Sequence, residues 1–183
     1  NRPFFTEGTD LFSKGNLLYS RRIGQTPDLN LNIAENESVE SPGAINLVNA
    51  LKISGRDKDG LGIGFLNAIT EKTMATATNS DDDSTRQVEV SPLTNYNVMV
   101  FDQRFNQNSS VTFINTNVTR NGSFRDANVT GLLFDLNNKT NKYNLSGGLK
   151  SSSINDVENK NGYNASLYFA DTNGKFRYSF GSE

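Results

Sequence analysis

The chain has 183 residues, of which 34% are hydrophobic and 21% charged, with a formal net charge of -2. It contains no Cys and no His, which excludes disulfides, thiolate chemistry, Ser-His-Asp catalysis and nearly every zinc site. The near-neutral charge argues against nucleic-acid binding by phosphate neutralisation, while 12 Phe and 6 Tyr are not typical of a disordered chain. We therefore expect neither an enzyme nor a bound cofactor.

The N-terminal part of the chain has no regular alternation. Residues 1–24 are rich in aromatic side chains, and we interpret them as a connector that leads into a first strand. Residues 25–43 are predicted to be a loop. No window of 18 apolar residues occurs anywhere in the chain, so no membrane-spanning helix is predicted. Because Asn1 is an implausible native start, we expect a leader or a further domain upstream.

Four pairs of later segments alternate apolar and polar side chains with a period of two. This alternation is typical of β-strands, and short turns such as RDKDG and NQNS join the members of each pair. We therefore predict an all-β fold with about eight antiparallel strands. The paired segments cover residues 44–55 and 61–70, 95–105 and 110–120, 127–138 and 142–152, and 162–171 and 174–183.

The longer links between these pairs are polar, at residues 71–92, 121–126 and 153–161. Strands of about ten residues, joined alternately by tight turns and longer loops, are typical of outer-membrane β-barrels. The sequence therefore predicts an antiparallel transmembrane β-barrel over residues 44–183, incomplete at its C-terminus, since YSFGSE is not a typical last barrel strand. The alternative is a soluble all-β domain.

In a barrel, one set of alternate side chains faces lipid while the other faces the interior. The small residues Gly62, Gly64 and Ala68 either leave room for an internal plug or accommodate strand curvature. The strands around Met99 and Ile114 are apolar on both faces, so their orientation stays open. The predicted lipid-facing residues are Leu61, Ile63, Phe65, Tyr143, Leu145, Phe176, Tyr178 and Phe180.

Several stretches resemble an outer-membrane family of the Bacteroidota that is catalogued as a domain of unknown function. The opening RPFF.EG.DLF with YSRRIG resembles the junction before its barrel half, and residues 95–120 and 126–147 resemble successive barrel strands. The resemblance implies a barrel that follows a carbohydrate-binding-module-like domain of the family-nine type. It implies no catalytic residues.

The aromatic residues of the connector then have an expected place. In a barrel they would lie at the membrane interface or against the rim. In a soluble domain they would instead fill the core. The residues predicted at the interface are Phe4, Phe5, Phe12 and Tyr19.

Asp81, Asp82 and Asp83 form the sharpest acidic cluster, and with Asn79 they offer oxygen ligands of the kind that Ca²⁺ prefers. The stretch lacks the spacing of an EF-hand loop. A solvated run of charge in an outward loop is the alternative.

Two functional hypotheses remain. The first is a barrel in the cell outer membrane, surrounded by lipid and open to other outer-membrane proteins, which serves passage, docking or assembly. The second is a soluble or surface-exposed β-sandwich that binds polysaccharide through exposed aromatic side chains.

Overall fold

The structure, a computed structural model, describes residues 10–18, 23–25, 33–173 and 178–182, and structural statements refer to these ranges. It consists of one short 3-10 helix, Lys14–Asn16, and eleven β-strands. No helix within these ranges has the length and hydropathy to cross a membrane. The strands are β1 (Glu37–Glu40), β2 (Leu47–Arg56), β3 (Leu61–Thr70), β4 (Thr73–Asn79), β5 (Thr85–Ser91), β6 (Thr94–Phe105), β7 (Ser109–Arg120), β8 (Asp126–Asn137), β9 (Tyr143–Asn155), β10 (Lys160–Asp171) and β11 (Tyr178–Ser182).

Eight strands form one antiparallel sheet with a simple meander. Their order is β2-β3-β6-β7-β8-β9-β10-β11, so each strand pairs with its neighbour in the chain except where β4 and β5 intervene. Each predicted pair of segments is a hairpin of this sheet. The prediction of about eight antiparallel strands is confirmed.

Local turn chemistry fixes the hairpins. Asp57 Oδ1 accepts hydrogen bonds from the backbone N–H groups of Asp59 and Leu61 at 2.9 and 2.8 Å. Gly60 follows with φ +89°, and a Cβ there would lie 2.6 Å from the carbonyl oxygen of Arg104. Only glycine fits this position, because both the backbone conformation and the close approach exclude a side chain.

The link between β3 and β6 is a hairpin of its own rather than the predicted loop. Strands β4 and β5 pair over residues 73–91, and β1 joins β4 to make a three-stranded sheet, β1-β4-β5. The predictions of a loop over 71–92 and of an uninterrupted loop over 25–43 are wrong. These strands carry Thr, Gln and Glu in place of large apolar residues, so their alternation is weak in the sequence.

The predicted alternation of tight turns and longer loops is also mostly wrong. The β9–β10 connection covers residues 156–159 and the β7–β8 connection covers residues 121–125, so neither is longer than the turn over residues 138–142 at the opposite end. Strand β9 continues to Asn155 through Ser151, Ser152 and Ser153. The predicted loop over residues 153–161 therefore begins inside the strand, because Ser153, Ile154 and Asn155 still pair with β8.

The register resolves the orientation that the sequence left open. Met99 and Phe101 lie on the same face as Ile63 and Phe113, and all four are exposed. Val98, Val100 and Ile114 lie on the other face and are buried, together with Leu66 and Ala68. The large sheet thus has two faces of different character, which we call the apolar face and the opposite face.

Candidate functional site

The apolar face is an almost continuous surface of exposed large hydrophobic side chains. Its aromatic residues contact one another at the β11 end, where ring centroids lie 6.0 Å apart for Tyr143 and Phe169, and 5.8 Å apart for Tyr178 and Phe180. A patch of this extent on a protein surface marks a contact with another protein or with lipid. Its exposed members are Leu51, Ile53, Ile63, Met99, Phe101, Val111, Phe113, Leu132, Tyr143, Leu145, Leu149, Tyr163, Leu167, Phe169, Tyr178 and Phe180.

Seven of the eight residues predicted to face lipid lie on this face. Ile63, Tyr143, Leu145, Tyr178 and Phe180 are exposed, and no described layer covers them. Leu61 and Phe65 are half-buried beside them on β3. Phe176 lies outside the described residues.

The exposed residues of the apolar face form a belt that crosses the strands diagonally. At the β2 edge, Ile53 pairs with Phe65, and this register row reaches Tyr163 on β10. At the β11 edge, the apolar residues Phe169 and Phe180 pair with each other, and Phe169 lies six residues after Tyr163 on β10. The belt therefore shifts by roughly one residue per strand. A belt that lies perpendicular to a barrel axis shows this shift when the strands are tilted by about 35–45° relative to that axis.

A band of amide side chains borders the belt towards the β4–β5 hairpin. Asn67 Nδ2 donates to Asn95 Oδ1 at 2.7 Å and to Asn97 Oδ1 at 2.8 Å. Asn115 Nδ2 donates to Asn128 Oδ1 at 3.1 Å. These side chains satisfy one another across neighbouring strands, so the band can lie beside an apolar medium at a lower desolvation cost than unpaired amides.

The opposite face carries residues 11–18, which we call the connector segment. Phe12 has no exposed surface, and it packs with Leu11 against Leu66, Ala68, Val98, Val100 and Ile114. The prediction that Phe12 lies at the membrane interface is therefore wrong, because this ring is buried on the other side of the sheet. Phe4, Phe5 and Tyr19 lie outside the described residues.

The glycines of β3 make room for this segment. A Cβ on Gly64 would lie 3.1 Å from the Phe12 ring, and a Cβ on Gly62 would lie 2.9 Å from Leu11 Cδ2. On β8, a Cβ on Gly131 would lie 2.8 Å from a methyl group of Leu17. The small side chains thus form a notch that the connector segment fills.

A buried carboxylate lies at the end of the notch. Asp102 is completely buried, accepts a hydrogen bond from Thr112 Oγ1 at 2.6 Å, and forms a hydrogen-bonded ion pair with Arg56. Two further cations approach it, with Lys14 Nζ at 3.5 Å and Arg104 Nε at 3.7 Å. Asp102 therefore connects β2, β6, β7 and the connector segment through ion pairs and a hydrogen bond.

The acidic cluster lies at the tip of the β4–β5 hairpin. Asp82 accepts hydrogen bonds from the Ser84 hydroxyl and backbone N–H, which lower the pKa of its carboxyl group. Asp81 accepts a hydrogen bond of 2.7 Å from Asn36, and Asp83 has a φ of +55°. In the described part of the chain, no three acidic residues are grouped so that they could hold a metal ion. The described geometry therefore gives the calcium hypothesis no coordinating cluster.

An ion pair holds β1 against this hairpin. Arg86 Nε and Nη2 donate to the two carboxylate oxygens of Glu37 at 2.6 and 2.7 Å, and the Ala34 N–H donates to the same carboxylate at 3.0 Å. These hydrogen bonds lower the pKa of Glu37 from 4.5 to about 2, and the hydrogen bond from Arg86 has the largest effect.

We expect Glu37→Gln to speed amide hydrogen exchange in residues 33–41, because it removes the charge that Arg86 binds. A carboxyl with a lowered pKa stabilises the folded state above pH 4.5, and this contribution is lost as the pH falls towards 2. Exchange followed by mass spectrometry at pH 6 should therefore separate the variant from the wild type, and the difference should disappear near pH 2. Glu40→Gln, on the same strand, is the control and should change exchange little.

Sequence reasoning missed Asp102 and its partners. Arg56 and Asp102 are 46 residues apart, and nothing local connects them. One signal was present, because Asp102 continues the period-two series of Val98 and Val100 and so had to share their face. A charged residue at a buried position of a strand requires a partner of opposite charge.

Comparison with known families gave one finding about the whole chain. The family description "Domain of unknown function (DUF5916)" matches residues 1–183. Comparison with curated proteins and comparison with solved structures each gave no match.

Proposed function

This chain belongs to the family described as a domain of unknown function (DUF5916), and we propose that it forms wall strands of an outer-membrane β-barrel. The observation that carries the proposal is the apolar face of the eight-stranded sheet. Its large side chains point away from the buried cluster, and the belt that they form crosses the strands diagonally.

A lipid environment accounts for this arrangement better than water does. Burial of apolar surface is worth roughly 25 cal/mol per Å², so a face of this size left in water would favour aggregation. Along β9 the belt runs from Tyr143 to Leu149, which is about 20 Å along the strand at 3.3 Å per residue and about 15 Å in height at a strand tilt of about 40°. Outer-membrane barrels carry a band about 25 Å tall, so we expect the bilayer to be thinned around this wall.

Backbone hydrogen bonding sets a further requirement. Strands β2 and β11 are the two edges of the sheet within the described ranges. A bilayer supplies no water to unpaired N–H and C=O groups, so these edges must pair with each other or with further strands. The β1-β4-β5 sheet lies beyond the end of the belt, and its charged side chains belong in the aqueous phase.

The proposed role is passage, docking or assembly at the cell outer membrane, without catalysis. Lipid is the proposed partner of the apolar face, and other outer-membrane proteins are proposed partners beside it. The paired amide band would then lie at the level of the lipid headgroups. The absence of His and Cys from the sequence supports a role without nucleophilic or zinc-dependent chemistry.

We expect the full-length protein to fractionate with outer membranes, to resist extraction by high salt, and to require detergent for release. A closed barrel stays folded in detergent without heating, so its migration on a gel should change after boiling. Soluble release at high salt, with the same migration before and after boiling, would contradict the proposal. That result would favour the β-sandwich that binds polysaccharide through aromatic side chains such as Tyr163 and Phe180, which are 83% and 69% exposed.

A further inference from the structure

We propose that the connector segment is a displaceable plug, which closes a passage along the opposite face and opens it by leaving the notch. The inference rests on the proposed function, because a plug needs a barrel interior to close. Three properties of the segment carry it: its backbone is not part of the sheet, its anchors are side chains, and its release leaves the buried carboxylate paired.

The backbone hydrogen bonds of the segment are local. Lys14 N–H donates to Leu11 O at 3.4 Å, and Asn16 N–H donates to Ser13 O at 3.2 Å. Positive φ angles at Gly15 and Asn16 then interrupt the helix. Within the described ranges, no backbone hydrogen bond joins this segment to a strand, so its departure breaks no strand pairing. Opening therefore costs the burial of Leu11 and Phe12 but no strand pairing, so the closed state predominates.

Side chains anchor the segment to the sheet. Phe12 fills the space above Gly64, and Leu17 occupies the space above Gly131. These contacts are apolar and have no directional bonds, so they form and break without leaving buried polar groups unpaired. Leaving the notch would uncover a path lined by Gly62, Gly64 and the apolar cluster that Phe12 covers in the closed state.

The charge cluster makes release possible. Lys14 lies 3.5 Å from Asp102, and it is the only cation of the cluster that belongs to the connector segment. When it leaves, Asp102 keeps its ion pair with Arg56 and its hydrogen bond from Thr112. A buried charge that lost its last partner would oppose opening strongly, whereas this carboxylate stays compensated in both states.

A disulfide can test the closed position directly. A Cβ on Gly64 would lie 3.5 Å from Leu11 Cβ, within the range of a disulfide, and the chain has no other cysteine. We expect the full-length variant Leu11→Cys/Gly64→Cys to cross-link when oxidised. Reconstituted in liposomes, it should release a small fluorescent solute slowly, and reduction should raise the rate on the order of tenfold, because the reduced pair docks less well.

Matched variants separate plugging from general damage. The single variants Leu11→Cys and Gly64→Cys cannot cross-link, so their efflux should not respond to oxidation. Phe12→Ala should raise efflux without any redox change, whereas Leu145→Ala, on the apolar face, should leave it unaltered. Failure of the disulfide to form would show that the segment does not occupy the notch. Equal efflux from the oxidised and reduced double variant, with the disulfide confirmed by mass spectrometry, would also overturn the plug. Either outcome in a membrane-inserted protein leaves the barrel proposal standing, which extraction and gel migration test separately.

Discussion

Replacing Asp102 with Ala is expected to lower the free energy of unfolding by about 3–5 kcal/mol, the usual cost of breaking a buried ion pair from one side. The substitution leaves the Arg56 guanidinium beside a completely buried position without its carboxylate. It also removes the acceptor of the Thr112 hydroxyl, which is itself buried. Urea titration of the protein folded in lipid vesicles, followed by the difference in gel migration between folded and unfolded protein, measures the loss.

Two further variants separate charge from hydrogen bonding. Asp102→Asn keeps an oxygen for Thr112 but removes the charge that Arg56 binds, so we expect an intermediate loss. Asp135→Ala is the matched control, because Asp135 lies on β8 in an exposed position and accepts hydrogen bonds from Asn137 and Asn144. It should cost about 1 kcal/mol. Equal effects at positions 102 and 135 would mean that the buried cluster has no special energetic role.

The strands could be predicted because each has its own period of two. The predicted segment 61–70 is β3 without any shift, since Asp57 and Gly60 mark the turn and Gly62, Gly64 and Ala68 alternate with large apolar residues. The assignment of faces was recoverable where small and large residues alternate, as on β3. It was not recoverable at Met99 and Ile114, because these strands carry apolar residues on both faces and tertiary packing decides between them.

The site required contacts between residues far apart in the chain. No local pattern places Phe12 over Gly64, since an aromatic residue before a strand suits an interface and a core equally well. Likewise the β4–β5 hairpin is short, polar and held partly by the pairing of β1, which comes more than thirty residues earlier. Periodicity identifies an element from its own residues, whereas these features depend on what packs against them.

Phe113→Lys is expected to lower the free energy of unfolding by about 2–4 kcal/mol in a lipid bilayer, the cost of a lysine near the middle of a barrel wall. Phe113 lies in the centre of the apolar face, with its ring 6.5 Å from that of Phe101 and with Leu132 as its partner on β8. In water, the same change would lose the ring's contacts with Phe101 and Leu132 but leave the lysine charge solvated, so we expect a cost of about 1 kcal/mol or less. The two environments therefore predict different results for one substitution.

Thr119→Lys provides the matched control on the same strand and the same face. Thr119 is exposed beyond the belt, on the side of the amide band, so a lysine there reaches the headgroup region and should cost between about 0 and 1 kcal/mol. The informative quantity is the difference between the two lysine variants, measured by urea titration in vesicles, because the gain of charge is the same in both. A large difference identifies depth in a bilayer as the cause. Equal and small effects would place the whole apolar face in water or against a protein partner, and the barrel proposal would then fail at its main observation.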